Sequence, residues 1–544
     1  MTPSTHFTAG NTPDAPRSDL PALLDSLAGD LRGIGYTVDG VAGLLGPAAH
    51  SALARDQLVP ALIVTEAALN AGSTTAALAA VVRLWLLAEP QPAPILDAAL
   101  PGVRTAGLLD LGLVEPAAEG LVQAKVDLRP YGWEETQGEN ADGSGGAELW
   151  VASDLAAHQR PGVLRHDHVL GIGQASTTLV QVTARRHVAR ALDLGTGCGI
   201  QTFHLLHHAE HVTATDISDR ALAFTRFNLL LNAGELHVDP ADLDARVSLR
   251  RGSLLEPVAG EEFELVVSNP PFVITPRSHG EAAADQFTYR DGGLPGDDIV
   301  AALVRALPSV LAPGGTAQLL GNWEIPAGAA WAERPQSWAS PDADVWLIQR
   351  EQVSPEQYAE TWLQDASEAR DRRLYQDSYA AYLDDFASRN VEAIGFGMIW
   401  LRRPAEGSPV LTRFEEITYP IEQPVGPHLG AAVERADWLA AHDLAAAHLL
   451  VAGDVTEERH QRPGAEHPGV ILLRQGAGLR RTNLLSTELA GFVSACDGDL
   501  SAGQIIGALE ALLGGGEDWD GEAFRSGLLT EVGNLVRDGF LLPA

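Results

Sequence analysis

The stretch "LDLGTGCGI", Leu192 to Ile200, decides how the rest of this chain reads. An apolar run ends at Leu194, a helical run begins at Ile200, and Gly195, Gly197 and Gly199 stand at alternate positions between them. Glycine at such a junction lets the backbone turn tightly and approach a ligand closely. A dinucleotide fingerprint would require glycine at position 200, where this chain has isoleucine. The carboxylate of Asp193 would also sit badly beside a pyrophosphate. It suits a ligand that carries an ammonium and a sulfonium, and S-adenosyl-L-methionine is such a ligand.

Moving outward, "HVTATDIS" from His211 reads as the next strand, and Asp216 at its end lies about twenty residues past the glycines. An acid placed there can accept both ribose hydroxyls. "GSLLEP", Gly252 to Pro257, closes a third strand where an adenine would lie. The candidate cofactor residues are therefore Asp193, Gly195, Thr196, Gly197 and Gly199 on the first loop, and Asp216 and Ile217 on the second. Gly252, Ser253 and Leu254 follow on the third, with Asn269 beside them. A lone Gly-x-Gly would be an ordinary turn; the acid before it and the acid after it make it a cofactor cradle.

Further strands are expected in "RVSLRRGS", "FELVVSN" and "TAQLLGNW", with helices at Ile200–Ala209, Arg220–Leu231 and Ile299–Leu311. Such alternation predicts an α/β domain with a mostly parallel, seven-stranded Rossmann-like sheet covered on both faces. "DVWLIQRE" from Asp344 and "EAIGFGMIWLRR" from Glu392 supply the last two strands, and about 355–389 reads as inserted helices.

The fourth strand stops at "SNPPFVITP", Ser268 to Pro276. Proline has no N–H to give a sheet, so the chain must leave it at Asn269. The Asn269 amide oxygen and the Pro270 carbonyl become acceptors stiffened by Pro270 and Pro271, and Phe272 offers a flat face. Two acceptors and a ring fit a planar group bearing NH2: a glutamine amide, adenine N6 or guanine N2. The nitrogen of such a group is a poor nucleophile, and accepting both its hydrogens directs its lone pair, so Asn269, Pro270, Pro271 and Phe272 are the candidate catalytic residues.

"DLGTGCG", "ATDIS" and "SNPPFVITP" together resemble the class I S-adenosylmethionine-dependent methyltransferases of the N5-glutamine and N6-adenine group. "NPPFVITPRSHG", Asn269 to Gly280, is especially similar to the archaeal and eukaryotic branch of release-factor glutamine methyltransferases. The resemblance covers about Val169 to Asn322. It implies methionine contacts at Asp193 and Gly195, ribose contacts at Asp216, and target-amide contacts at Asn269 and Pro270. Phe272 departs from the tyrosine common among glutamine-modifying members and is closer to several ribosomal-RNA methyltransferases. Protein is thus the expected substrate, with an exocyclic amine of rRNA, tRNA or DNA as the alternative and a non-catalytic cofactor-binding protein as a remote one.

The chain has 544 residues, more than one hydrophobic core usually supports. The expected plan is a disordered tail at 1–18, a helical, winged-helix-like domain at 19–133, a linker at 134–146, the methyltransferase domain at 147–410, and a second helical, winged-helix-like module at 411–544. A net charge of −35 makes the bulk surface repel phosphate backbones. Two distant cysteines, Cys198 and Cys496, match no zinc pattern, and no metal is expected. No signal peptide or membrane span is legible, so a cytoplasmic location is expected, with a partner subunit and the oligomeric state left open.

Three other features bear on the site. His204, His207, His208 and His211 read as a solvated helix face rather than ligands. Tyr289 and Arg290, in the loop Asp285 to Asp298, are candidate substrate contacts. The arginines near 185–190, 246–251 and 370–373 are the candidates for a basic track.

Overall fold

The apolar runs around the glycine loop form one twisted sheet in a computed structural model that describes residues 7, 12–133, 146–156, 159, 164–276, 293–365, 372–514 and 519–544. The chain divides into two units, 1–180 with 186–407, and 181–185 with 408–544. Seven strands of the first unit are β1 (Val188–Leu194), β2 (Ala209–Asp216), β3 (Val247–Arg251), β4 (Phe263–Ser268), β5 (Leu311–Pro326), β6 (Asp344–Val353) and β7 (Val391–Arg402). They lie in the order β3-β2-β1-β4-β5-β7-β6. Strands β1 to β5 are mutually parallel, and β7 runs antiparallel to both β5 and β6. The order reverses between β1 and β4, the switch point where open α/β sheets bind ligands.

Burial explains the strand composition. Ala191, Leu192, Val212, Ala214, Leu265 and Val267 are all buried, as expected of parallel strands covered on both faces. Helix α1 (Ile200–Leu205) follows β1, and ends earlier than the expected Ala209 because that residue already begins β2. Helix α2 (Asp219–Leu231) follows β2 and is capped by Ser218, whose side chain accepts from the N–H of Ala221.

The N-terminal region joins the same unit through α2. A hairpin of 127–133 and 147–153 lies against this helix, and its backbone is read by two buried asparagines. Asn228 exchanges hydrogen bonds with both N–H and C=O of Ala152, and Asn232 does the same with Trp150, at 2.8–2.9 Å. Ahead of the hairpin stand helices at Pro21–Gly33, Val38–Leu53, Val59–Asn70 and Ala76–Trp85, and a three-stranded antiparallel sheet built from 91–92, 114–116 and 121–124.

Residues 12–18, expected within a disordered tail, pack instead on α2: Arg220 donates to the Asp14 carbonyl at 2.9 Å and Arg226 to the Ser18 carbonyl at 2.9 Å. Two buried or half-buried guanidiniums need acceptors, and this segment supplies them. The expected linker lies outside the described residues except for Gly146.

Strands β5 and β7 continue well past the end of β4. The β4 pairing with β5 stops at Ser268 with Leu319, whereas β5 and β7 remain paired through Ile325 and Ala393. Helices α3 (Pro355–Asp365) and α4 (Arg372–Ser388) fill the insertion between β6 and β7 and pack on this projecting ribbon, burying Tyr358, Leu363, Tyr382, Phe386 and Ile394.

The second unit has a core of its own around Leu489, Phe492, Val532, Leu535 and Phe540. Its helices include Ala502–Leu513, closed by a capping box of Ser501 and Gln504, and Gly521–Asp538, terminated by Gly539 at φ 82°. Among the described residues, no helix is long and apolar enough to cross a membrane.

Candidate functional site

Three loops meet at the carboxyl ends of β1, β2 and β4 because the register puts Leu194 beside both Thr215 and Ser268. The residues that follow, Gly195, Asp216 and Asn269, are therefore neighbours. Ser268 fastens the seam further, its hydroxyl donating to the Leu194 carbonyl at 2.7 Å.

The glycine loop is shaped from within. Gly195, Gly197 and Gly199 have φ of 80°, 58° and 97°, a region that side chains rarely tolerate. The N–H groups of Gly195 and Thr196 both donate to the Thr215 carbonyl at 2.9 Å. Asp193 lies wholly buried beneath this turn. Its Oδ2 accepts from the Thr196 hydroxyl (2.8 Å), the Thr202 N–H (3.0 Å) and the Thr202 hydroxyl (2.6 Å).

Its Oδ1 is buried and has no partner. Burial pushes the Asp193 carboxyl up to about 6, against the opposing hydrogen bonds from Thr202 and Thr196. A buried acceptor without a donor beside a glycine cradle fits a cationic ligand.

Asp216 closes the loop from the other side. Its Oδ2 accepts from the Gly197 N–H at 3.1 Å and its Oδ1 from the Ser218 N–H at 2.9 Å, and its carbonyl accepts from Gly252 at 3.0 Å. Burial raises its pKa, while the Ser218 and Gly197 N–H groups lower it. Each oxygen retains a lone pair for a diol. Ile217 next to it is 52% exposed, an apolar face fit for a flat ring.

At the third loop, a Cβ on Gly252 would come within 2.4 Å of Pro257, so only glycine permits that packing. Ser253 accepts through its carbonyl from Glu256, and Leu254 takes a left-handed φ of 47°.

The acceptor loop contrasts with this. The Asn269 Oδ1 is buried without a partner, and a Cβ on Gly195 would lie 4.0 Å from the Asn269 carbonyl oxygen. The Pro270 carbonyl, expected to be open, accepts the Phe272 N–H at 2.8 Å, since the Pro-Pro geometry folds the next residue back upon it. One of its lone pairs remains. Pro270 is buried, whereas Pro271 and Phe272 are half-buried.

Two contributors were not legible in the sequence. Thr202 clamps Asp193 from nine residues away, and nothing about a threonine in the first turn of α1 announces that role. Tyr358 is wholly buried, and its hydroxyl accepts from the Ile274 N–H and from Asn322 Nδ2, each at 2.8 Å. The density of tyrosines in 355–389 was the available signal.

The histidines do not share one solvated face. His204 is buried, 2.7 Å from the Tyr131 hydroxyl, with its ring tilted against Trp133 at 4.2 Å between centroids, and His211 stands on β2. The aromatic hairpin strand covers α1, which overrides the polar pattern. Tyr289, Arg290 and Arg370 lie outside the described residues.

Five arginines of the expected basic track are engaged locally. Arg190 and Arg250 pair with Glu261, and Arg251 pairs with Asp219. Arg186 and Arg246 donate to the carbonyls of Glu264 and Leu206.

Comparison with known proteins agrees with this geometry. Residues 154–331 match the family model of the methyltransferase small domain, and 33–125 match a domain of unknown function, DUF7059. The sheet order, the glycine loop and the acceptor loop together make the central domain a class I methyltransferase domain.

The chain is 33% identical over 186 residues to a ribosomal protein uL3 glutamine methyltransferase from Bradyrhizobium diazoefficiens, which covers 32% of this chain and 54% of that protein. It is 33% identical over 165 residues to a release factor glutamine methyltransferase from Geobacter sulfurreducens, 28% of this chain and 51% of that protein. A ribosomal RNA small subunit methyltransferase C from Alcanivorax borkumensis is 27% identical over 184 residues, 33% of this chain and 46% of that protein. The chain thus spans about half the length of these curated relatives.

Proposed function

We propose that this protein is an S-adenosylmethionine-dependent N-methyltransferase that acts on a glutamine side-chain amide of a protein in the cytoplasm. The observation that carries the proposal is the unpartnered, buried Oδ1 of Asn269, a residue whose backbone carbonyl borders the glycine loop. A buried acceptor without a donor costs about 1–3 kcal/mol, a cost that a bound NH2 group removes.

Bound S-adenosylmethionine would supply an electrophilic methyl group. Asp193 and the loop 195–199 would hold its cationic end, Asp216 its ribose, and Ile217 with 252–254 its adenine. Asn269 Oδ1 and the remaining lone pair of Pro270 would accept the two N–H bonds of the target amide. That fixes the plane of the amide and directs the nitrogen lone pair toward the cofactor loop. Phe272 packs against the flat group and excludes water. No strong base is needed, because the proton leaves a nitrogen made cationic by methylation.

Relatives named for uL3 and for release factors favour a protein acceptor. The surface charge and the locally engaged arginines argue in the same direction. Phe272 and the relative named for ribosomal RNA favour a second reading, an exocyclic amine of a nucleic acid. The test is to incubate the full chain with methyl-tritiated S-adenosylmethionine and lysate of its source organism lacking the gene. Label that resists RNase and DNase but not protease supports the amide; label removed by a nuclease transfers the case to the base amine.

A further inference from the structure

We infer that Tyr358, on the inserted helix α3, is a positioning residue for the acceptor loop: its hydroxyl fixes where Asn269 and Pro270 stand relative to the cofactor loop. The inference rests on the methyl-transfer reading above.

The argument begins with what holds the loop. Up to Ser268 the chain is part of a ladder, paired with Leu194 on one side and Leu319 on the other. The next residues cannot continue it, since Pro270 and Pro271 have no N–H and the Phe272 N–H turns back to Pro270. Phe272 makes an isolated bridge, and the end beyond it has an anchor of its own. That anchor is at Ile274, whose N–H donates to the Tyr358 hydroxyl at 2.8 Å in a fully buried contact.

That oxygen belongs to a closely packed ring. The Tyr358 ring stacks on Phe396 of β7 at 5.7 Å, meets Phe386 edge-on at 5.5 Å, and touches Trp362 and Tyr382 at 6.0 and 6.3 Å. Its second partner is Asn322, a wholly buried residue on β5 three positions past the end of the β4 pairing. Asn322 Oδ1 has no partner, so this amide depends on Tyr358 for its place.

Burial also raises the pKa of the hydroxyl well above its ordinary value, so it remains a neutral hydroxyl. The helices inserted between β6 and β7 are thus a fixed wall to which the acceptor loop is tied. Because transfer needs an in-line approach, a loop displaced by about 1 Å can lower the rate roughly a hundredfold.

Tyr358→Phe removes the tie and keeps the ring. The variant, wild type and Tyr379→Phe, which loses a hydroxyl on the same helix pair, are compared in three measurements. These are cofactor affinity, label transfer across a range of lysate concentrations, and amide exchange of the segment 268–276.

The expected result for Tyr358→Phe is a fall of at least tenfold in the saturating transfer rate, with half-saturating lysate concentration and cofactor affinity within twofold of wild type. Exchange in 268–276 rises, and Tyr379→Phe changes none of these. Asn322→Ala, which removes the hydroxyl's other partner, should move rate and exchange in the same direction by less.

An unchanged rate and unchanged exchange in Tyr358→Phe overturn the inference, as does an equal loss of cofactor affinity. If wild type transfers no label, the methyl-transfer reading fails on its own. Exchange in 268–276 then still decides whether Tyr358 fixes the loop.

Discussion

The two loops that meet at the switch point are built in opposite ways. The glycine loop is closed by groups near in sequence: Thr196 and Thr202 on Asp193, Thr215 under the turn, and Asp216 on Gly197. The acceptor loop is braced from afar, by Tyr358 eighty-four residues on. A cofactor cradle has to present the same shape to the same ligand and can be a short local motif. An acceptor loop has to fit a particular substrate, and here its position depends on an insertion between β6 and β7. Their unpartnered atoms differ in the same sense, a carboxylate oxygen in one and an amide oxygen in the other, which the proposed function gives to a cation and to an N–H.

The comparison breaks first if substrate chemistry and cofactor binding fail together. Asn269→Ala deletes the unpartnered acceptor and leaves the glycine loop untouched. Methyl transfer from tritiated cofactor should fall by about two to three orders of magnitude, the scale of losing one preorganised partner of a transition state. Cofactor affinity, measured by calorimetry, should stay within a few fold. Equal loss of both would make Asn269 a structural residue of the switch point.

Asp216→Ala is the complementary change and should have the next largest effect. It removes charge-assisted acceptors for a diol, about 1–3 kcal/mol of cofactor binding, or roughly 5- to 150-fold. Because Asp216 also receives the Gly197 and Ser218 N–H groups, a modest drop in melting temperature should accompany it. An unchanged affinity would remove Asp216 from the ribose site.

The same contrast explains what could be read from the chain. The glycine loop, Asp216, the alternation of strands and helices and the stop at Asn269 depend on short-range pattern: apolar runs, closely spaced glycines, and prolines without N–H. Those are legible because each acts within a few residues of itself. Tyr358 and Asn322 depend on the register of β5 with β7 beyond the end of β4, which no local pattern encodes. The sequence reads His204 as solvated because no carboxylate pattern accompanies the histidines of its helix. Its neighbours Tyr131 and Trp133 arrive from a hairpin more than seventy residues earlier. The half-engaged carbonyl of Pro270 is likewise a matter of geometry rather than composition.

The smallest effect sharpens the cofactor side. Asp193 has a folded-state pKa pushed from the ordinary 3.8 up to about 6 by burial. The folded chain therefore binds this proton more tightly than the unfolded chain does. Its contribution to stability falls as pH rises from 3.8 to about 6, and the loss is complete above that.

Asp193→Asn keeps an oxygen for Thr196 and Thr202 and carries no charge. Its melting temperature relative to wild type should be higher at pH 8 than at pH 4. Cofactor affinity should move the other way: in wild type it tightens as pH rises through about 6, when the carboxylate ionises beside a ligand cation, and in the variant it should be flat. A variant that retains the wild-type pH profile would assign the titration to another group. The buried oxygen of Asp193 would then be a feature of the turn alone, and the cation would be held by the other edges of the glycine loop.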